Sequence, residues 1–465
     1  MAELETDYLV IGGGATGMAF TDALIADSDM DVVILDRRHR PGGHWDDAYP
    51  FVRLHQPSAY YGVNSRPLGT DTIDETGPNS GQYERATAAE ILDYFQRVLD
   101  DHLLPSNQVR FFGMSDYRGA ESGAHWFVSR LTGESTTVRV RRKVVDATYL
   151  QTAVPSTHTP SFGVDPDAQF MAVNGLVDLT EWASGFTVMG AGKTAMDACV
   201  WLLDNGVDPD AIRWVRPRDA WMMDRRNVQP LDLVGSFLEA VSLSLQATVQ
   251  ADDVFDLLRR LEACGQLLRL DRSVEPTMYR CAILSQREVE LLGTIEHVVR
   301  QGRVKGIGRD RIDLEQGSLP TSSRHVHVDC TADGLRVAEA RPIFTADRIT
   351  LQQVRFCQPT FNAALIGFIE ATRDDDRDKN RLCPANPYPD AAADWLQTNA
   401  ISWTAQDAWS GEADLGTWLE ASRLNAVHGL GAHLSDPGME QTMARYSEFA
   451  GAGLARAQEM LARST

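Results

Sequence analysis

Two glycine-rich turns have the residue types and spacing that hold the diphosphate of a dinucleotide. The first, Gly12-x-Gly14-x-x-Gly17, follows the apolar run Tyr8–Ile11 and precedes a helical pattern. In such a turn the first glycine permits the sharp bend, the second lets the diphosphate approach the backbone, and the third lets the helix pack on the strand. The free N–H groups at the start of the helix also attract an anion. The segment is therefore predicted to bind a dinucleotide; the alternative is a glycine turn that binds nothing.

An acidic residue follows this turn at the distance expected for the ribose of the same nucleotide. The apolar stretch DVVILD ends in Asp36, about two dozen residues after Gly12. A carboxylate at that place accepts hydrogen bonds from ribose hydroxyls. Asp36 and the neighbouring Arg37 are therefore predicted to bind the adenosine part of a cofactor.

The chain repeats the same order of strand, turn, helix and strand in its middle. The second turn is Gly190-x-Gly192-x-x-Ala195, and alanine is an accepted variant of the third glycine. Lys193 and Thr194 lie in this turn and are predicted to bind the second cofactor together with the two glycines.

Basic residues end the strand that follows the second turn. Arg216 and Arg218 stand where the first copy has Asp36. An aspartate would repel the 2′-phosphate of NADP, whereas arginine binds it through charge-assisted hydrogen bonds. The two arginines therefore predict NADP rather than NAD; the alternative is that both are only solvated.

Two dinucleotide folds in one chain indicate two cofactors. One nucleotide can be a resident flavin dinucleotide and the other a hydride donor, so the predicted cofactors are FAD and NADP. The predicted fold class is α/β, with two Rossmann-like dinucleotide-binding domains and a helical insertion. The FAD-binding domain is placed at 1–160, the NADP-binding domain at 161–325 with its insertion at about 228–300, and the second part of the FAD-binding domain with C-terminal helices at 326–465.

The segment GGHWDDAYPFVRLHQPS, residues 42–58, does not follow helix or strand periodicity. Its G-G-H-W run, its Tyr-Pro pair followed by an arginine, and the double nucleotide fold resemble the flavin-dependent monooxygenases with two dinucleotide-binding domains. That superfamily holds the flavin-containing, N-hydroxylating and Baeyer–Villiger monooxygenases. The resemblance extends over roughly 5–370, and it implies that the segment 42–58 lies against the flavin ring.

The resemblance also implies functions for individual residues. Gly43 and Trp45 are expected to contact the flavin, and Trp45, His55 and Gln56 form the predicted catalytic group. Gly367 is expected near the ribityl chain of the flavin. The alternatives are that Trp45 is a core residue and that His55 is a structural histidine.

The activity that the resemblance implies is oxygenation. NADPH reduces FAD, the reduced flavin forms a flavin peroxide with O2, and one oxygen atom enters a small organic substrate. N- or S-oxygenation is favoured over Baeyer–Villiger oxidation, because His55 stands where that pattern has an acidic residue. The fingerprint histidine of the family is replaced by Leu179, and Trp182 comes one residue early for its closing aromatic. The alternatives are an FAD-dependent NAD(P)H reductase or dehydrogenase that does not activate oxygen, and a flavin-binding protein without turnover.

Composition limits which binding partners and which cellular compartment are expected. The net charge of −21 disfavours nucleic acid and anionic membranes as partners. The chain starts without a basic and apolar leader and has no apolar run of about 18 residues, so neither a signal peptide nor a membrane span is expected. Six cysteines without a C-x-x-C pair predict reduced, mostly buried thiols in a cytoplasmic protein and speak against a disulfide reductase. The expected partners are a small-molecule substrate and O2, no metal site is expected, and a homodimer is left open.

Local patterns predict the elements around these motifs. A capping box from Thr87 to Glu90 starts a helix, and the alternating segment 127–147 turns at Gly133 as a hairpin. The clearest helix of the insertion is 254–270, and both a substrate lid and a packed insertion are open interpretations. Residues 302–319 are expected to form a second hairpin and 438–462 an amphipathic C-terminal helix.

Overall fold

The computed structural model describes residues 2–121, 123–150 and 152–464. The strands are β1 (Ala2–Ile11), β2 (Val32–Leu35), β3 (Val109–Phe112), β4 (Ser115–Glu121), β5 (Ala124–Ser129), β6 (Ser135–Asp146), β7 (Thr152–Ala153), β8 (Gly163–Val164), β9 (Phe170–Ala172), β10 (Gly185–Met189), β11 (Ile212–Val215), β12 (Ala220–Asp224), β13 (Leu267–Leu268), β14 (Met278–Leu284), β15 (Val298–Val299), β16 (Val304–Ile307), β17 (Arg311–Leu314), β18 (Gly317–Pro320), β19 (His325–Asp329), β20 (Gly334–Leu335) and β21 (Arg348–Thr350). The α-helices are α1 (Ala15–Ala26), α2 (Ala88–Val98), α3 (Lys193–Asp204), α4 (Val234–Gln250), α5 (Val254–Ala263), α6 (Gln286–Leu292), α7 (Pro359–Thr372), α8 (Asp376–Leu382), α9 (Asp394–Trp409), α10 (Ala413–Ala421) and α11 (Met439–Ser464). Among these described helices, none combines the length and apolar character needed to cross a membrane.

The first sheet is built around the strand that precedes the first glycine turn. Its order is β3-β2-β1-β6-β5-β4, with β21 beside β6. Strand β1 runs parallel to β2, where Tyr8 pairs with Val32, and parallel to β6, where Ile11 pairs with Asp146. All residues of β2 are buried, as expected for a parallel strand that is covered on both faces. This sheet carries the first predicted Rossmann-like unit.

The second sheet has the order β15-β11-β10-β19-β9, and all its neighbouring strands are parallel. In both sheets the strand before the glycine turn lies between the strand after the helix and a strand that returns much later. These trios are β2-β1-β6 and β11-β10-β19. The internal repeat and the α/β class with two Rossmann-like units are therefore confirmed.

The local predictions around the two sheets also hold. The Thr87 hydroxyl accepts a hydrogen bond from the Glu90 N–H at 3.3 Å, and the Glu90 carboxylate accepts one from the Thr87 N–H at 2.7 Å, so the capping box starts α2. Strands β5 and β6 form the predicted hairpin, with Gly133 in a left-handed conformation at φ +72°. Strands β16, β17 and β18 form the second hairpin, and α11 is the C-terminal helix.

The predicted helical insertion is only partly helical. Its first half contains α4 and α5, but its second half contains β14, which pairs in parallel with β12, and the short helix α6. Helix α4 packs along α11, and neither α4 nor α5 reaches the cavity described below. These two helices are thus a packed layer rather than a lid, while the domain boundaries stay predictions.

Candidate active-site cavity

A cavity of about 990 Å³ is lined by residues of the first and the second sheet units. Both glycine turns lie in its wall, and so do the residues that follow β6 and β19. Ligands of α/β sheets bind beyond the carboxyl ends of the strands, and these segments are at those ends. The wall residues at these strand ends include Gly12, Gly14, Thr148, Gly190, Gly192 and Thr331.

The first glycine turn leaves the start of α1 open to the cavity. Gly12 has φ +105°, which favours glycine. A Cβ on Gly17 would lie 2.0 Å from the carbonyl oxygen of Gly12, so Gly17 permits the close packing of helix on strand and lies outside the cavity wall. Helix α1 has no side-chain cap at Gly14, and Ala15 lines the cavity. The N–H groups of its first turn are therefore available to an anion.

Asp36 ends β2 inside the same cavity. The carboxylate is 5% exposed and accepts hydrogen bonds from the N–H groups of Gly13 and Arg38, both at 2.7 Å. Burial raises the pKa of Asp36, while the two backbone hydrogen bonds oppose that shift. The neighbouring Arg37 also lines the wall. Asp36 is thus fixed in position beside the glycine turn.

The second glycine turn has the same open helix start. Helix α3 has no side-chain cap at Gly192, and a Cβ on Gly192 would meet nothing within 4 Å. Lys193 and Thr194 line the cavity. The Lys193 ammonium pairs with Asp197, whose other oxygen accepts a hydrogen bond from the Tyr49 hydroxyl at 2.6 Å. This chain of contacts joins the second turn to the segment 42–58.

The two predicted phosphate-binding arginines have different surroundings. Arg216 is 3% exposed, pairs with Asp219 at 2.8 Å and places its guanidinium 4.8 Å from the centre of the Trp214 ring. It is absent from the cavity wall, so the prediction that Arg216 faces the cofactor is wrong. The physical reason is the carboxylate of Asp219, three residues later, which is shared with Arg300 at 2.8 Å.

Arg218 does lie in the cavity wall. Its guanidinium makes two hydrogen bonds of 2.9 Å to the carboxylate of Asp390. Arg303, which the sequence did not single out, lines the same cavity with an exposed side chain. Among the described residues, no carboxylate lies within ion-pair distance of Arg303. We call these two arginines of the cavity wall the basic patch.

The segment 42–58 forms the wall between the two turns. A Cβ on Gly43 would lie 3.0 Å from the Cα of Gly14, so the segment packs directly on the first turn. The indole N–H of Trp45 donates to the Tyr61 hydroxyl at 2.8 Å, and Trp45 is 9% exposed. Gln56 is also buried and lines the cavity. The predicted residues Gly43, Trp45, His55 and Gln56 are thus brought together in one wall.

His55 is held as a neutral imidazole. Burial lowers the pKa of His55 to about 3, and the positive charge of Lys193 adds to that effect. The His55 carbonyl accepts a hydrogen bond of 2.9 Å from Nε of Arg225, which fixes the backbone at this point. A neutral imidazole can both donate and accept a hydrogen bond. His55 therefore offers the cavity a hydrogen-bonding group without a charge.

Gly367 does not reach the cavity. It lies in the middle of α7, and a Cβ there would be 2.6 Å from the carbonyl oxygen of Phe20 and 3.2 Å from Cβ of Ala23. The prediction that Gly367 contacts the cofactor is therefore wrong, because this glycine allows α7 to cross α1 closely. Pro359, at the start of α7, is the residue of that helix in the wall.

Comparison with known proteins agrees with this architecture. Residues 10–63 match the model of the NAD(P)-binding Rossmann-like domain, a range that contains the first turn, Asp36 and the whole segment 42–58. Uncharacterized proteins of Mycobacterium tuberculosis and Mycobacterium bovis are 47% identical over 425 residues, which cover 91% of this chain and 78% of theirs. The chain belongs to the family of these mycobacterial proteins.

Solved structures show which fold this family has. An open structure of cyclohexanone monooxygenase superposes with a TM-score of 0.53 at 12% identity, covering 88% of this chain and 98% of that one. A mutant of cyclohexanone monooxygenase from Rhodococcus sp. Phi1, bound to NADP+, gives 0.51 at 13% identity, covering 88% and 99%. The resemblance to the flavin-dependent monooxygenase superfamily is thereby confirmed at the level of the fold.

The region where the sequence departs from the superfamily fingerprint lies outside the cavity. Leu179 packs against the core at the end of a short 3-10 helix. Trp182 is 73% exposed, and the guanidinium of Arg324 lies 4.5 Å from its ring centre. Neither residue lines the cavity, so this segment is not part of the site in this chain.

Sequence reasoning missed a further wall of the cavity. Strand β14 contributes Arg280, Cys281 and Ile283 to this wall. A disulfide joins Cys281 to Cys357, which also lines the cavity. The prediction that all six cysteines are unpaired is therefore wrong. The partners are 76 residues apart in sequence, and no short cysteine motif signals such a contact.

Proposed function

We propose that this chain is an FAD-dependent, NADPH-consuming monooxygenase that inserts one oxygen atom from O2 into a small organic substrate. The observation that carries the proposal is that two uncapped helix starts, each behind a glycine turn, open onto a single cavity. Two dinucleotides bound there would lie with their reactive rings in the same space. Among the described residues, no group of His, Cys, Asp and Glu could hold a metal ion.

The residues around the first turn fit FAD. The open start of α1 would hold the diphosphate, and Gly14 lies so close to Gly43 that side chains there would fill the cradle. Asp36 is positioned for the ribose, and the segment with Trp45 and His55 follows toward the second turn. When bound, FAD would supply a group that accepts hydride and activates dioxygen.

The residues around the second turn fit NADP. Gly190, Gly192 and Thr194, which line the cavity at the start of α3, would hold the diphosphate. Arg218 and Arg303 form the basic patch where the 2′-phosphate of NADP would lie, because both line the cavity. Among the described residues no carboxylate lies within ion-pair distance of the Arg303 guanidinium, although Glu315 accepts a hydrogen bond from the Arg303 N–H. The exposed guanidinium can therefore pair with that phosphate.

The chemistry of the wall favours N- or S-oxygenation over Baeyer–Villiger oxidation. His55 is neutral, because burial holds its pKa near 3. It can donate a hydrogen bond to a bound oxygen atom or accept one from a substrate amine without creating a charge. Trp45 and Gln56 close the same wall and limit the access of water. The neutral imidazole of His55 and the buried side chains of Trp45 and Gln56 suit a neutral nitrogen or sulfur nucleophile.

The alternative is an FAD-dependent NAD(P)H reductase that does not activate oxygen. The specific observation that favours it is the disulfide between Cys281 and Cys357 in the cavity wall. Both proposals use the same two cofactors and therefore share the first half of the reaction. They differ in the acceptor that receives the electrons.

The deciding experiment follows the fate of O2. Purified protein is reconstituted with FAD and mixed with NADPH, 18O2 and a panel of tertiary amines, sulfides and cyclic ketones. We expect NADPH consumption to rise with an amine or sulfide and one 18O atom to appear in the product by mass spectrometry. Products without 18O, together with electron transfer to quinone or disulfide acceptors, would favour the reductase. A protein that binds no FAD refutes both proposals.

Cofactor specificity gives a second test. Arg218→Ala and Arg303→Ala each remove one cation from the basic patch, and a charge-assisted hydrogen bond contributes about 1.5–3 kcal/mol. We expect the KM for NADPH to rise by about tenfold or more in each variant, while the KM for NADH stays unchanged. Arg311→Ala, on an exposed hairpin strand, is the matched control. Equal changes for NADPH and NADH would contradict the assignment of the patch to the 2′-phosphate.

A further inference from the structure

The cysteine pair in the cavity wall joins two segments that approach from different parts of the fold. Cys281 is on β14, which belongs to the insertion in the second unit, and Cys357 lies just before α7, which packs on α1. The Cα atoms are 6.4 Å apart, a separation that is normal for a disulfide. Both residues line the same cavity as the two glycine turns.

A bulge in β14 directs Cys281 toward the cavity. The register with β12 shifts between the pair Trp221–Tyr279 and the pair Met223–Ile283, so β14 has two more residues in this interval than its partner. Cys281 is the middle residue of the bulge and has φ +57°. β-Bulges re-aim side chains and are frequent beside active sites. The strand therefore departs from regular pairing at the residue that carries the sulfur.

The loop that carries Cys357 also departs from regular backbone geometry. Cys357 has φ +52°, a left-handed conformation that a residue with a side chain adopts only when its surroundings impose it. Here the surroundings are well defined. The side-chain oxygen of Asn362 accepts from the Arg355 N–H at 2.9 Å, and the Phe356 N–H donates to the Ser402 hydroxyl at 3.0 Å. Both contacts fix the loop next to Cys357.

The two segments are held together by more than the disulfide. The ring of Tyr279 stacks on that of Phe356 with centroids 5.6 Å apart, and these residues flank the two cysteines. The stack is therefore a second link between the two segments, separate from the S–S bond. Arg225 donates hydrogen bonds to the carbonyl oxygens of both His55 and Ile283, at 2.9 and 3.2 Å. The cysteine wall is thereby tied to the wall that contains His55.

We propose that Cys281 and Cys357 form a redox-active disulfide, which the electrons brought into the cofactor cavity reduce in place. The S–S bond takes up two electrons and two protons and becomes two thiols. NADPH gives up a hydride and becomes NADP+, and solvent supplies the second proton. The inference rests on the proposed function, because the FAD that the first turn would hold would supply the path for electrons from NADPH to the sulfurs.

The surroundings also indicate which sulfur reacts. Cys281 is 7% exposed, whereas Cys357 is half-buried and thus the more accessible of the two. Cys357 lies two residues before Pro359, the first residue of α7, and that helix has no side-chain cap. A helix start stabilises a thiolate, so Cys357 is the sulfur that would exchange with a thiol or disulfide in the cavity. The other four cysteines are unpaired, and three of them are buried.

Thiol counting on the reconstituted holoenzyme tests the inference without any substrate. The air-oxidised protein, unfolded under acid quench and treated with a thiol reagent, should show four thiols, the number of cysteines outside the disulfide. After anaerobic treatment with NADPH it should show all six cysteines of the chain. Six thiols before reduction, or four after NADPH has bleached the flavin, would overturn the inference.

Electron counting gives an independent readout. Because the disulfide is a two-electron couple, an anaerobic dithionite titration of the wild-type holoenzyme should need about twice the reductant of Cys357→Ser or Cys281→Ser. Cys264→Ser, which lies at the end of α5 outside the cavity, should titrate like wild type. Equal reductant for wild type and both cavity variants would overturn the inference. If dithionite opens the disulfide but NADPH does not bleach the flavin, the proposed NADPH dependence fails while the cavity disulfide stands.

Discussion

A buried carboxylate on α6 provides the sharpest test of how the cavity wall is held. The Glu288 side chain is 4% exposed and accepts hydrogen bonds from Nη2 of Arg225 at 2.7 Å and from the Ser285 N–H at 2.7 Å. Burial alone would raise the pKa of Glu288, but the combined attraction of Lys193, Arg225 and Arg85 outweighs it and lowers the pKa to about 2. We therefore predict that Glu288→Gln destabilises the protein strongly at neutral pH.

The expected loss follows from the pKa. The usual value for this carboxyl is 4.5, and each unit of difference between folded and unfolded pKa corresponds to about 1.4 kcal/mol. A depressed pKa contributes stability that is fully present above the unfolded pKa and is lost as the pH falls through the folded pKa. Glu288 should thus contribute about 3 kcal/mol to the free energy of unfolding at pH 7 and about 2 kcal/mol at pH 3.5.

Urea denaturation followed by tryptophan fluorescence measures this difference. Glu288→Gln should lower the free energy of unfolding by about 3 kcal/mol at pH 7, with a smaller loss at pH 3.5. Glu290→Gln, on the exposed face of the same helix, is the control and should change it by less than about 0.5 kcal/mol. A loss at pH 7 no larger than the control, or one that does not shrink in acid, would refute the reasoning.

Two further substitutions test packing elsewhere. Gly17→Ala places a Cβ 2.0 Å from the carbonyl oxygen of the first turn, so it should lower the free energy of unfolding by about 1–3 kcal/mol or more and reduce FAD binding. Gly416→Ala, where a Cβ meets nothing within 4 Å, should do neither; urea denaturation and FAD content of the purified protein measure both. Lys379 is 3% exposed and donates to Glu370 at 2.6 Å. Lys379→Met should therefore lower the free energy of unfolding by about 3–5 kcal/mol, and exposed Arg377→Met should lower it by less than 0.5 kcal/mol.

The parts of the site that could be predicted are those whose geometry is local in sequence. The first turn and Asp36 lie within one strand-helix-strand unit, so residue spacing alone determines that they meet at one sheet edge. The same holds for the second turn with Lys193 and Thr194. Glycine patterns and apolar runs are therefore sufficient to place both nucleotide turns and the α/β fold.

The errors come from contacts that the sequence pattern does not contain. Arg216 is drawn away from the cavity by Asp219, an ion pair that depends on how the chain turns after β11. Gly367 lies against α1, a helix more than 300 residues earlier, and its small size fits a helix crossing as well as a cofactor site. In both positions the residue type was compatible with two environments, and only the tertiary packing selects between them.

The cysteines show most clearly that a disulfide cannot be excluded because the sequence lacks a closely spaced cysteine pair. The absence of a C-x-x-C pair argued against a redox disulfide, but that motif only guarantees proximity through one helical turn. Here proximity arises from a two-residue bulge in β14, a loop fixed before α7, and the stacked rings of Tyr279 and Phe356 that bring the two segments together. The two cysteines are 76 positions apart in sequence, so no short motif signals this contact. A reductase activity therefore has to be judged from which cysteines line the cavity, and in this chain Cys281 and Cys357 both do.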